Sequence, residues 1–190
     1  MKTKSKLFGI LMAAALALLV TPLFAAGANG AKNKHSDVTY GQPGGYLERK
    51  VRHELLLLPY YSVFDNLEFR VDGDTVTLSG QVVQPVLKAD AGRAVKHVEG
   101  VRQVINNIQV LPVSSFDDRI RLATFRAIYR NPAMTKYAIQ PIKPIRIIVD
   151  SGHVTLVGVV ASDFDRNIAY LQANSVPDVF SVTNDLRVQG

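Results

Sequence analysis

From residue 47 onward the apolar positions switch between two periods. Leu47, Val51, Leu55 and Leu58 recur at three- to four-residue spacing with charged residues from Glu48 to Glu54 between them. That spacing predicts an amphipathic helix, which Pro59 ends. Leu67, Phe69 and Val71 then alternate up to Asp72-Gly73-Asp74, and Val76, Leu78 and Gly80 alternate after it. Two strands joined by an Asp-Gly turn form an antiparallel hairpin. Leu87, Ala91, Ala94 and Val98 return to helical spacing, with Pro85 at the start and Gly100 just past the end. Val101 to Leu111 alternates as a last strand. The predicted order is helix, strand, strand, helix, strand.

The same order returns in a second copy. Residues Val71 to Val82 align without a gap on Val149 to Val160, 78 positions later, and the register persists downstream. Val98, Val101, Val104, Asn106 and Val110 fall on Val176, Val179, Val182, Asn184 and Val188. An in-register duplication over this length marks two copies of one supersecondary unit. The second copy opens with a helix over Asp117 to Arg130, continues through a hairpin over Ile145 to Val160 and a helix begun by Ser162 and Asp165 as a capping pair, and closes with a strand over Val179 to Val188. Between its first helix and first strand lies a longer loop, where Pro132, Pro141 and Pro144 are expected to break regular structure.

Val-x-Leu-x-Gly-x-Val in a strand, followed by a helix and a Val-x-x-Val-x-Asn strand, resembles the signature of the BON domain of bacterial envelope proteins. The pattern stands as Val76, Leu78, Gly80 and Val82 with Val101, Val104 and Asn106, and again as Val154, Leu156, Gly158 and Val160 with Val179, Val182 and Asn184. A tandem pair behind an export signal is similar to the osmotically induced periplasmic proteins of enteric bacteria. The resemblance implies an α/β (α+β) fold of two tandem αββαβ domains, each a three-stranded mixed sheet backed by two helices. It also implies a non-enzymatic role, in binding anionic phospholipid or supporting envelope integrity. The motif residues are structural in this reading. Gly80 and Gly158 serve a turn or a close backbone approach, and Asn106 and Asn184 bond the backbone locally.

The N-terminus sets the compartment. Lys2, Lys4 and Lys6 precede 14 uncharged, mainly apolar residues from Leu7 to Val20, then Pro22 and a small-residue stretch. This is the layout of a cleaved secretory signal, expected over residues 1–28, and the apolar run is short of the roughly 20 residues that span a bilayer. Residues 29–45 are polar and Gly-rich, as in a disordered leader. The domains are expected at 46–112 and 113–190. There is no cysteine, so neither lipid attachment at a cysteine nor a disulfide is available, and a periplasmic protein stabilised by its cores is expected. The formal charge of +6 includes the three signal lysines, which leaves +3 for the remainder. That mild excess, without an aromatic stacking platform, argues against a nucleic-acid partner.

Little in the chain suggests catalysis. His35, His53, His97 and His153 sit on separate elements without metal-ligand spacing, and Gly-x-Ser-x-Gly and Gly-rich phosphate loops are missing. Asp72-Gly73-Asp74 lacks the remaining ligands of a calcium loop and reads as a turn. Asp163 and Asp165 read as helix-start residues. No cofactor or metal is expected. The helix over 117–130 is the informative element. At about 100° per residue, Ile120, Ala123 and Ala127 make one apolar face and Leu122, Phe125 and Tyr129 a second, with Arg119, Arg126 and Arg130 aligned between them. One face buries the core; the other is either docked on the first repeat or presented, with its arginines, to an anionic membrane. Arg119, Leu122, Phe125, Arg126, Tyr129 and Arg130 are therefore the candidate lipid-binding residues. Exported protein clients of a chaperone are the alternative partner class.

Overall fold

The alternating segments form the sheets. The computed structural model describes residues 36–37 and 44–189. The expected signal at 1–28 and most of the expected leader at 29–45 lie outside the described residues. The first repeat runs α1 (Tyr46–Leu56), β2 (Asn66–Asp72), β3 (Thr75–Val82), α2 (Pro85–Lys96), β4 (Gln103–Asn106) and β5 (Gln109–Val110). It is preceded by a short strand β1 (Ser36–Asp37). The second runs α3 (Ser115–Tyr129), a 3-10 turn at Pro132–Met134, α4 (Thr135–Ala138), β6 (Ile145–Asp150), β7 (His153–Val160), α5 (Asp163–Asn174) and β8 (Ser181–Val188). Residues 33–190 make one compact unit that holds both repeats.

In each repeat the central strand pairs antiparallel with the strand before it and parallel with the strand after the helix. A parallel return needs a crossover, which α2 and α5 supply. The β2–β3 register sets Phe69 opposite Leu78 and Val71 opposite Val76. Because side chains alternate along a strand, Leu67, Phe69, Val76, Leu78 and Val82 fall on one face and are buried under Val51 and Leu55 of α1 and Leu87, Ala91 and Val95 of α2. The second repeat repeats this with its own core around Ile145, Ile147, Val149, Val154, Leu156 and Ala169. Each fully buried Leu or Phe contributes about 1.5–3 kcal/mol, so each repeat has the means to hold its own sheet and helices together.

The motif residues are explained by close approach. Gly80 and Gly158 have φ of +105 and +133, and a Cβ on them would stand 2.1 Å from the Asn66 carbonyl oxygen and 1.9 Å from that of Pro144. Only glycine fits. Asn106 and Asn184 do more than the local bonding expected. Each accepts from the backbone two residues on (Ile108, Leu186), and each donates back to a helix, to the carbonyls of Lys88 at 2.8 Å and Arg166 at 3.1 Å. They fasten the last strand to the crossover helix in both repeats.

Three expectations need correcting. The leader was expected to be without structure, but Ser36 and Asp37 pair with Phe69 and Glu68 on the free edge of β2. A sheet edge offers backbone partners that the leader's own composition does not reveal. The proline-containing loop of the second repeat is partly helical, because Pro132 sits in the first turn of the 3-10 segment, where a missing N–H costs nothing. Met134 and Tyr137 from this segment are buried in the second core. The last strand of the first repeat is two short pieces, β4 and β5, whereas β8 is continuous.

Candidate functional site

Helix α3 is where sequence and structure differ most. Ser114 caps it by accepting from the Asp117 backbone at 3.1 Å. Its buried stripe is Asp117, Ile120, Arg121, Thr124, Ile128 and Tyr129, not Ile120, Ala123 and Ala127. Hydrophobic periodicity misplaced this face because half of it is polar. Asp117 accepts from the backbones of Ser151 at 3.1 Å and Gly152 at 2.8 Å and so holds the β6–β7 turn. Arg121 donates to the Val149 carbonyl and to Asp118, both at 2.6 Å. The Tyr129 hydroxyl donates to the Ile145 carbonyl at 2.7 Å and accepts from the Ile145 N–H at 3.1 Å.

These bonds have a common purpose. β6 is an edge strand, and a buried edge must find partners for its backbone. Tyr129 serves Ile145, Arg121 serves Val149, and between them the Ile147 N–H donates to the Val63 carbonyl of the first repeat at 2.9 Å. Arg146 donates to the Ser62 carbonyl at 2.8 Å and lies over the Tyr61 ring. The donor loop is itself braced: Asp65 accepts from Ser62 and from the Val83 backbone. Phe64 meets Phe125 edge-on with ring centroids 6.2 Å apart. The loop between α1 and β2 thus joins the two repeats.

The expected apolar ridge is divided accordingly. Tyr129 is 7% exposed with its hydroxyl committed to β6, so it does not belong to a surface. Phe125 is half-buried against Phe64 and Tyr129, which makes it part of the seam between the repeats. Leu122 remains exposed, beside a cavity of about 400 Å³ that Phe64, Val83 and Arg121 also line. A second groove of about 350 Å³ along the seam has Leu56, Tyr61, Val63, Phe125 and Ile142 in its wall.

The arginines are presented together. Arg119, Arg126 and Arg130 are all exposed. At about 100° per residue they fall within about 40° of one another, on the side of α3 opposite the core, and at about 1.5 Å per residue they span about 16 Å. None of the three is in an ion pair among the described residues. Arg121, by contrast, is paired with Asp118 and buried. On α1 of the first repeat, Arg49 bonds the Gly44 carbonyl, Lys50 lies over Tyr46 and Arg52 over Phe69, as Arg119 lies over Phe116 on α3.

The densest polar cluster is structural. Asp165, buried at the start of α5, accepts from Lys136 at 2.8 Å, Tyr137 at 2.9 Å and Ser162 at 2.7 Å. Burial pushes its carboxyl up, but the bonds from Lys136, Ser162 and Tyr137 outweigh that and hold it below the ordinary value. The same bond raises the Lys136 ammonium, and burial raises the Tyr137 phenol. The cluster docks α4 onto the α5 cap. Asp163 pairs with Arg166 at 2.8 Å. Of the histidines, His53, His97 and His153 are exposed and His35 lies outside the described residues. Asp72-Gly73-Asp74 is a hairpin turn whose Asp74 pairs with Arg102 at 3.3 Å. Among the described residues no group of three His, Cys, Asp or Glu side chains is placed to hold a metal.

The family model of the BON domain matches residues 45–112 and 133–190, more than half of the chain. The protein belongs to the BON domain family. BON domains are in general non-enzymatic modules associated with phospholipids or proteins of the envelope. The second BON match begins after α3, so the arginine-bearing helix lies between the two matched regions. No curated protein matches the chain. Among solved structures, it is similar to the C-terminal domain of CdsD, a structural protein of the type III secretion system of Chlamydia trachomatis. That alignment has 11% identity over 78% of this chain and 100% of the other, at a TM-score of 0.28. A second CdsD structure gives 12% identity over 75% and 92%, also at 0.28. At this level the likeness carries no argument about function.

Proposed function

We propose that the protein is a periplasmic, non-enzymatic envelope module, used under osmotic stress, that binds anionic phospholipid weakly, chiefly through the outward face of α3. The observation that carries this reading is the row of Arg119, Arg126 and Arg130, exposed, unpaired among the described residues and adjacent to exposed Leu122. Each basic side chain near an anionic surface contributes about 1 kcal/mol, so the row reaches the range of weak, salt-sensitive association. No helix among the described residues is long and apolar enough to cross a membrane. Cosedimentation with phosphatidylglycerol vesicles, against neutral phosphatidylcholine, tests it. Binding is expected to prefer the anionic lipid and to fall at least tenfold when Arg126→Glu and Arg130→Glu are combined. Equal binding to both lipids, or no effect of the charge reversals, refutes the reading.

A second reading has its own support. The two grooves along the seam offer Phe64, Val83, Leu56 and Ile142 to an apolar side chain, as a chaperone or interaction module for exported clients requires. It predicts suppression of aggregation of an unfolded envelope protein without lipid, and Leu122→Asp removing that effect. Failure to suppress aggregation removes it.

A further inference from the structure

Phe180 lies in the turn between α5 and β8 with two thirds of its surface in water (67%). It is nevertheless held firmly. Its N–H donates to the Gly152 carbonyl at 2.9 Å, and its ring lies 5.8 Å from that of Phe116 and 5.9 Å from that of His153. Gly152 makes room for it, since a Cβ there would come within 2.7 Å of the ring. The Arg119 guanidinium sits 5.7 Å from the Phe116 ring centroid. Exposed Phe180 and half-buried Phe116 are therefore continuous with the end of the α3 arginine row.

The first repeat provides an internal control. At 78 positions earlier, Arg102 stands for Phe180 and Asp74 for Gly152. The backbone bond is the same, from the Arg102 N–H to the Asp74 carbonyl at 2.9 Å, but the side chains form an ion pair at 3.3 Å. One turn of one fold is charged and hydrated in one repeat, and aromatic and bare in the other. What the fold needs at this turn is met by both, so folding does not account for the exposed ring.

We propose that Phe180, backed by Phe116, is a wedge that enters the boundary between headgroups and acyl chains of an anionic bilayer when the α3 arginines lie on its surface. This rests on the lipid reading above. A bilayer suits the patch because phenyl rings without a polar handle gain from the acyl region while the neighbouring Arg119 stays among the phosphates.

The chain has no tryptophan, so Phe180→Trp places a single reporter at the tip. The protein from residue 33 onward is titrated with phosphatidylglycerol vesicles and with vesicles carrying brominated acyl chains. A blue shift with quenching by bromine is expected. Phe180→Ser, which removes the ring without adding a charge, is expected to weaken vesicle binding on the order of tenfold with an unchanged fold. Unshifted, unquenched emission from a protein that still cosediments through Arg126 and Arg130 overturns the wedge and leaves the lipid reading standing. Absence of vesicle binding by the unsubstituted protein overturns both. A blue shift with an unfolded envelope protein but not with vesicles assigns the patch to a protein partner and overturns the wedge.

Discussion

Gly158 offers the sharpest test of how the sheets are built. A Cβ there would lie 1.9 Å from the Pro144 carbonyl oxygen, whereas ordinary contact begins near 3.4 Å, so Gly158→Ala must move the start of β6 by about 1.5 Å. The φ of +133 is also one that alanine rarely adopts. Strain of this kind costs about 1–3 kcal/mol. A shift of 1.5 Å would carry the Tyr129–Ile145 bonds, now 2.7 and 3.1 Å, beyond hydrogen-bonding range, at about 1 kcal/mol each. A loss of about 3–5 kcal/mol follows, a large part of a typical total of about 5–15 kcal/mol. Urea unfolding followed by far-UV circular dichroism measures it, with Gly73→Ala as control. Gly73 has φ of +61 but nothing within 4 Å of its Cβ position, so that change should cost only about 1–2 kcal/mol. Amide exchange should show lost protection in β6 and β7 and unchanged protection in β2 and β3. If Gly158→Ala costs no more than Gly73→Ala, the close approach is not what fixes this glycine.

Other consequences can be measured on the same protein. The Asp165 carboxyl titrates below its ordinary value of 3.8 when folded, so its contribution is present above that pH and is lost as pH falls through the folded value. Asp165→Asn should therefore cost about 2 kcal/mol at neutral pH and flatten the acid limb of the stability curve, and an unchanged acid limb contradicts the assignment. Lys136 is raised above 10.5, so its contribution is present below that pH and fades in alkali above it; Lys136→Met should lessen the alkaline slope, of which buried Tyr137 keeps a part. Phe64→Ala removes a half-buried ring from the seam and should cost about 2 kcal/mol, splitting unfolding into two calorimetric transitions. A single unshifted transition would show that the repeats are coupled elsewhere.

The hairpins and crossover helices were legible because their apolar residues obey one period each. Phe69 and Leu78 alternate, Leu87 and Ala91 sit on one helical face, and the structure buries all four. The duplication was legible for the same reason. Helix α3 was not, since a pattern rule treats Asp117, Arg121 and Thr124 as surface residues. Burial of Asp117 and Arg121 depends on acceptors and donors 28 to 35 residues away, at Val149, Ser151 and Gly152. Of the six residues expected to meet lipid, Arg119, Leu122, Arg126 and Arg130 are exposed, while Phe125 and Tyr129 were drawn into the seam and the core. Phe180 was missed because a lone aromatic in a turn has no periodicity. Comparing it with Arg102, its register partner, is the signal that finds it.

The sequence by itself determined the two repeats, their order of elements and the glycines at the close approaches, because these follow from local periodicity and residue chemistry. Tertiary structure decided which face of α3 is buried, where the leader pairs and how the repeats are joined. Each of these depends on an edge strand whose unpaired N–H and C=O groups recruit whichever partner the folded chain brings within about 3 Å, and that distance is set by the fold, not by position along the chain.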